Sequence, residues 1–417
     1  MSVWRVQGGY PLEGSLTIQG AKNAVLPILA ASILTGCEIE LTNCPALRDV
    51  EASLNILRHL GCRAEQQGDV INLDSRAVTG CSLNRELTGQ MRSSIIFLGA
   101  ILGRCGEARL AMPGGCELGP RPVDLHLAAM EALGAKVTAE GDEIVCKADG
   151  LRGGTIHLDL PSVGATENAM IAACAARGKT VIVNAAREPE IVDLQSFLRA
   201  LGADMDGAGT PVITVRGFTP VERVGYRVMP DRIAAATVLC ACGCAGGDVE
   251  LRGVDPSHFS SITETLVAMG AKAAGGGRRL RLQCERRLLG GETVITRPYP
   301  GFPTDAQPLM MAASLKAAGV TTFVENIFTD RYRQAQQMLR LGANIRLEGR
   351  VAVVTGVETL RGAEVLAEDL RGGAALVIAG LGAEGVTSVT DHGHITRGYE
   401  GLDISLKNLG ARIDIAK

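Results

Sequence analysis

The sequence predicts an α/β fold made of six copies of one unit, divided between two similar halves of three copies each. Three observations predict it. Gly61, Gly134, Gly202, Gly270, Gly342 and Gly410 each follow a Leu or Met that closes an apolar segment, and each opens a strand-like run. They recur at intervals of 68 to 73 residues. A second set, Gly36, Gly106, Gly178, Gly247, Gly319 and Gly385, precedes the first by 23 to 28 residues in every copy. Two landmarks kept in step six times mark an internal repeat. The third observation is the character of the upstream helices. Ala234 to Cys244 and Ala374 to Leu381 are apolar nearly all round, so they belong inside, with strands outside.

Each unit therefore reads helix, strand, helix, strand, with further strand residues between copies. The glycines of both sets suit helix ends, where positive φ carries no Cβ clash. At 417 residues the chain exceeds the size at which one core usually divides. Two globular halves fit that length better than an open solenoid.

Composition excludes several functions. With 42 basic and 45 acidic residues, net charge −3, there is no long-range pull toward nucleic acid. Aromatic content of 3% leaves few platforms for stacking bases. Met1 to Gly20 lacks a basic start followed by an apolar run, and no apolar run approaches the roughly 20 residues of a membrane span. The expectation is a cytoplasmic protein with no membrane partner and its cysteines reduced. Cys240, Cys242 and Cys244 lie in a buried-helix pattern whose spacing does not converge on one ion. His392 and His394 could share a strand face, but with no third ligand nearby they make a weak metal site. Gly380 to Gly385 matches GxGxxG. A dinucleotide site needs a strand before and a helix after it, and here the order is reversed.

The segment Met112 to His126 stands apart. Its prolines and glycines exclude regular structure, and it carries Cys116 five residues before Arg121. A thiol in such a loop, beside a cation, is set up for proton donation or nucleophilic attack.

That loop belongs to a series of segments. Gly20-Ala21-Lys22-Asn23-Ala24, Met91-Arg92-Ser93-Ser94, Ser162-Val163-Gly164-Ala165-Thr166 and Asn184 to Asp193 lie in the first half. Met229-Pro230-Asp231-Arg232, Phe302-Pro303-Thr304-Asp305, Asp369-Leu370-Arg371 and Arg397-Gly398-Tyr399-Glu400 follow. Together they resemble the enolpyruvyl transferases, essentially end to end, and most closely the branch whose acceptor is UDP-N-acetylglucosamine. The resemblance implies two inside-out α/β barrel domains with buried helices, 22–229 and 1–21 plus 230–417. It places the active site in the cleft between them and a mobile loop at about 112–121. It also implies transfer of the enolpyruvyl group of phosphoenolpyruvate to a sugar 3′-hydroxyl with release of phosphate. That reaction is the first committed step of peptidoglycan synthesis and needs no metal or organic cofactor. A shikimate-pathway transferase and a non-catalytic UDP-N-acetylglucosamine-binding paralogue are the alternatives.

Addition–elimination on a trianionic donor needs a cationic cradle, an acid for the methylene carbon and a group that takes or orients the hydroxyl proton. The resemblance assigns the cradle to Lys22, Asn23, Arg121, Arg331, Arg371 and Arg397, the guanidinium forks matching carboxylate and phosphate. Lys22 and Asn23 precede the expected helix Ala24 to Leu34, whose first NH groups suit an anion. By the same resemblance Cys116 is the acid and forms a covalent adduct with phosphoenolpyruvate. Asp305 contacts the acceptor hydroxyl. For the sugar nucleotide it implies Arg92, Arg121, Pro122, Val123, Asp124, Leu125, His126, Ser162, Val163, Gly164, Glu188, Thr304, Asp305 and Ile327. One departure stands out. Some members carry a lysine two residues before Ser162, where this chain has Leu160.

Overall fold

A computed structural model describes residues 1–112 and 123–416. These fall into two compact units, 20–229 and 1–19 plus 230–416. The first division lies two residues before the expected one. Asp231 N bonds Gln19 O at 2.9 Å within one unit, and Ala21 N bonds Met229 O at 2.8 Å within the other.

Each unit holds three four-stranded sheets, and all six sheets share one topology. The copy from Thr293 to Thr355 shows it. Strand Thr293–Ile295 leads to helix Gln307–Ser314, then strand Val320–Val324, helix Arg333–Arg340, and strands Asn344–Glu348 and Val351–Thr355. The first two strands pair parallel, and the last strand inserts antiparallel between the second and the third. Alternate residues point inward, as Thr321 and Phe323 do in Val320–Val324.

Three sheets are completed by distant chain. Ser2–Gln7 pairs antiparallel with both Val386–Asp391 and Arg412–Ala416. Leu12–Thr17 runs parallel to Gly247–Arg252, and Arg223–Arg227 runs parallel to Glu38–Thr42. The expected unit is thus enlarged by two strands. What the resemblance implied as a barrel is, among the described residues, three separate sheets around helices with no hydrogen-bonded closure.

The first helix of each copy is interior. From Arg371 to Leu381 every residue of helix Leu370–Leu381 is buried, and helices Lys22–Ala31 and Val163–Cys174 are nearly as enclosed. The second helix is amphipathic; in Arg333–Arg340 only Gln334, Ala335 and Met338 are buried. The six first-set glycines all take positive φ, between 85° and 111°. In the second set Gly36 departs, lying in a bend at 34–36 outside the left-handed region.

Helix Lys22–Ala31 begins two residues before the expected start. The triplet Cys240, Cys242 and Cys244 is buried in helix Arg232–Ala245. His392 and His394 do not share a strand. The strand ends at Asp391, whose Oδ1 accepts from Gly393 N and His394 N and turns the chain. Among the described residues there is no metal-binding cluster and no helix long and apolar enough to cross a membrane.

Candidate active site

The repeat gathers the candidate side chains at one kind of place, the start of a buried helix. Lys22 opens helix Lys22–Ala31, and Arg92 opens the 3-10 turn Arg92–Ile96 that runs into Phe97–Cys105. Ser162 caps Val163–Cys174, its hydroxyl accepting from Ala165 N at 3.4 Å. The turn Thr304–Ala306 leads into Gln307–Ser314, and Asp369 caps Leu370–Leu381 with Arg371 as the second residue. Helix starts carry unpaired NH groups and a partial positive charge, so each suits an anion or an oriented oxygen. The remaining first helix, Arg232–Ala245, is capped by Asp231, in a segment singled out above but given no role.

In the unit that includes 230–416, five candidates join one network. Arg331 donates Nε and Nη2 to Thr304 O at 3.1 and 3.0 Å, and Nη2 to Asp305 Oδ1 at 2.8 Å. Arg371 donates Nε to the other carboxylate oxygen, Oδ2, at 3.2 Å. Both guanidinium groups are buried, while the Asp305 side chain keeps 29% of its surface exposed. Arg371 Nη1 is buried and has no partner among the described residues. Asp369 Oδ1 holds the backbone beneath it, accepting from Arg371 N and Gly372 N.

Glu325, which sequence reasoning missed, ties in the rest. Its Oε2 accepts from Thr304 Oγ1 at 3.0 Å, and its Oε1 accepts from Ile327 N at 2.8 Å and Phe328 N at 3.0 Å. Ile327 is thereby presented on an exposed loop. No motif marks Glu325, whose role appears only once the sheet edge is folded. Arg397 ends the 3-10 turn Ile395–Arg397, two residues before a tyrosine that packs on Arg371.

In unit 20–229, Lys22 Nζ pairs with Asp49 Oδ2 at 2.8 Å, with both side chains largely buried. Asp49 comes from the first turn of helix Arg48–His59 and carried no sequence signal. Val123 precedes helix Asp124–Ala132, which presents Asp124 exposed, Leu125 half-buried and His126 buried. His126 Nδ1 lies 2.8 Å from Asn168 Nδ2. The Asn168 amide is oriented by Gly99 N donating to its Oδ1 and by its own NH₂ reaching Ile95 O. The NH₂ group therefore donates to Nδ1, which assigns the imidazole proton to Nε2. Burial lowers the His126 pKa to about 4, against a weaker opposing pull from Asp124, so the ring is neutral. It lies against Gly164, where an added Cβ would come within 3.1 Å of the ring.

Glu188 precedes helix Pro189–Ala200 in an acidic neighbourhood. Burial, then Glu190 and Glu188, push Glu167 well above the ordinary carboxylate value. Burial also pushes Asp193 up to about 6, despite hydrogen bonds from Tyr226 and Met229 N. Such surroundings favour hydroxyl and amide donors over phosphate. Leu160 is 67% exposed and offers no charge. Cys116, Arg121 and Pro122, with the loop 112–121 apart from Met112, lie outside the described residues.

The family model described as EPSP synthase (3-phosphoshikimate 1-carboxyvinyltransferase) matches residues 6–406. The chain belongs to the enolpyruvyl transferase family. It is 47% identical to UDP-N-acetylglucosamine 1-carboxyvinyltransferase 1 of Symbiobacterium thermophilum, over 98% of this chain and 94% of the relative. It is 44% identical to UDP-N-acetylglucosamine 1-carboxyvinyltransferase 2 of Caldanaerobacter subterraneus subsp. tengcongensis, over 99% of each chain. The crystal structure of the enolpyruvyl transferase NikO from Streptomyces tendae shares the fold, with a TM-score of 0.89 at 24% identity over 100% of this chain and 99% of that one. EPSP synthase from Acinetobacter baumannii does so with a TM-score of 0.75 at 19% identity, over the full length of both chains.

Proposed function

We propose that this chain transfers the enolpyruvyl group of phosphoenolpyruvate to the 3′-hydroxyl of UDP-N-acetylglucosamine, releasing phosphate. In a host that builds peptidoglycan this is its first committed step. The observation that carries the reading is the carboxylate of Asp305 held between the buried guanidinium groups of Arg331 and Arg371. Each carboxylate oxygen takes one guanidinium NH and retains acceptor capacity for a substrate hydroxyl. The acceptor is the sugar nucleotide because the relatives at 40 to 47% identity bear that name. A shikimate acceptor has less support.

The chemistry runs in two steps. The sugar 3′-oxygen bonds to C2 of phosphoenolpyruvate as its hydroxyl proton leaves toward Asp305, and C3 takes a proton from the Cys116 thiol. The C2–O bond to phosphate then breaks, C3 returns a proton to the Cys116 thiolate, and enolpyruvyl ether and inorganic phosphate depart, the phosphate taking up the former hydroxyl proton. Arg371 and Arg397, with Lys22, Asn23, Arg121 and Arg331, bind the donor's anionic oxygens. Asp305 is clamped by two cations, so it orients the hydroxyl more than it removes its proton outright. Arg92, the Val123–His126 helix start, Ser162–Gly164 and Ile327 serve the nucleotide. The NH groups at the start of Val163–Cys174 and the His126 Nε2–H replace the charge missing at Leu160. Glu188 accepts from sugar hydroxyls.

Cys116 tests the reading. An ordinary thiol pKa near 8.5 leaves it protonated at neutral pH, as an acid must be. The phosphonate epoxide fosfomycin resembles phosphoenolpyruvate, and mass spectrometry should find one adduct, on Cys116, formed faster with UDP-N-acetylglucosamine present. Cys116→Ser should be nearly inactive, whereas Cys116→Asp should keep turnover and escape alkylation. An adduct on another cysteine, or full activity in Cys116→Ser, would overturn the assignment.

A further inference from the structure

Tyr399 has had no part in the chemistry so far, although it is 3% exposed and lies beside the buried candidate cation Arg371. Arg371 Cζ stands 5.1 Å from the centroid of its ring. The phenol oxygen is 2.9 Å from Thr237 Oγ1, and that hydroxyl spends its own proton on Ile233 O at 2.7 Å. Tyr399 is therefore the donor to Thr237. Its ring is anchored at the hydroxyl end to the buried helix Arg232–Ala245, and its face is turned to the start of another, Leu370–Leu381. Gly398 shows how tightly the segment is pressed there, since an added Cβ would stand 2.6 Å from Leu370 Cδ1.

We propose that Tyr399 is a positioning residue that aims the Arg371 fork at the donor's anionic oxygens. This deepens the function proposed above and rests on it. Asp305 fixes the Nε edge of the guanidinium, and Tyr399 fixes its plane by a desolvated cation–π contact together with a guanidinium hydrogen bond to the phenol oxygen. Nη1 is left buried and without a partner among the described residues, as a donor awaiting an anion would be.

Steady-state kinetics on a double-mutant cycle tests it. Tyr399→Leu should raise the KM for phosphoenolpyruvate about tenfold and leave the KM for UDP-N-acetylglucosamine within about twofold. Tyr399→Phe, which keeps the ring but loses the hydroxyl anchor, should fall between wild type and Tyr399→Leu. Placed on Arg371→Lys, which already lacks the fork, Tyr399→Leu should add less than about a twofold further change. Should Tyr399→Leu fail to fold, Thr237→Val removes the anchor while keeping the ring, and a smaller rise confined to the donor's KM is expected. Multiplicative losses in the cycle, or equal effects on both substrates, would overturn Tyr399's role while leaving the function standing. No phosphate release by the wild-type chain would overturn the function and this role with it.

Discussion

His126 is held neutral by position alone: Asn168 donates to one ring nitrogen and burial disfavours charge on the other. Its pKa falls from about 6.5 in the unfolded chain to about 4 in the native one. A depressed native pKa means that below pH 6.5 the unfolded state takes a proton the native state refuses. The contribution is therefore full above pH 6.5 and is lost as the pH falls toward 4, by on the order of 3 kcal/mol. Raised carboxylates such as Asp193 act in the opposite sense, so the difference between wild type and His126→Gln isolates the effect. Urea denaturation from pH 7 to 4 should show the variant losing less stability; parallel curves would place His126 in contact with solvent. Residues of this kind divide by how they announce themselves in the sequence. Arg371 and Arg397 sit in segments that carry the family resemblance and could be named from it. Glu325 and Asp49 could not, because a carboxylate that accepts from a threonine hydroxyl elsewhere in the chain or pairs with a distant lysine leaves no local pattern.

The elements were legible where one residue type has one physical use. The six glycines ending the second helices all take left-handed φ, which other residues adopt only with strain. At Gly134 nothing lies within 4 Å of an added Cβ, so Gly134→Ala carries the backbone strain alone, about 1 to 2 kcal/mol. At Gly202 the added Cβ would stand 1.8 Å from Thr219 O, so Gly202→Ala must also displace a neighbouring strand end. Chemical denaturation should show a loss at Gly202 at least twice that at Gly134. Equal losses would mean the repeat's helix ends tolerate shifts that their packing argues against. Other boundaries were hidden for a reason. Helix Lys22–Ala31 starts without a side-chain cap, so its polar first turn read as a loop. Strand alternation identifies an inward face but not a partner. The insertion of Ser2–Gln7 between two strands at the far end of the chain was accordingly implied only by the family resemblance.

At the scale of the molecule, one unit copied six times sets six helix starts at equivalent positions, and the proposed site residues fall at those starts. Lys22, Arg92, Ser162, Asp305 and Arg371 occupy five of them, each with a different chemistry on the same backbone plan. The most direct measurement is inorganic phosphate release by the purified chain with phosphoenolpyruvate and either UDP-N-acetylglucosamine or shikimate 3-phosphate, with mass spectrometry of the acceptor product. The account predicts stoichiometric phosphate and enolpyruvyl ether with the sugar nucleotide and neither with the shikimate. Turnover of shikimate 3-phosphate, or no phosphate with either acceptor, would contradict it.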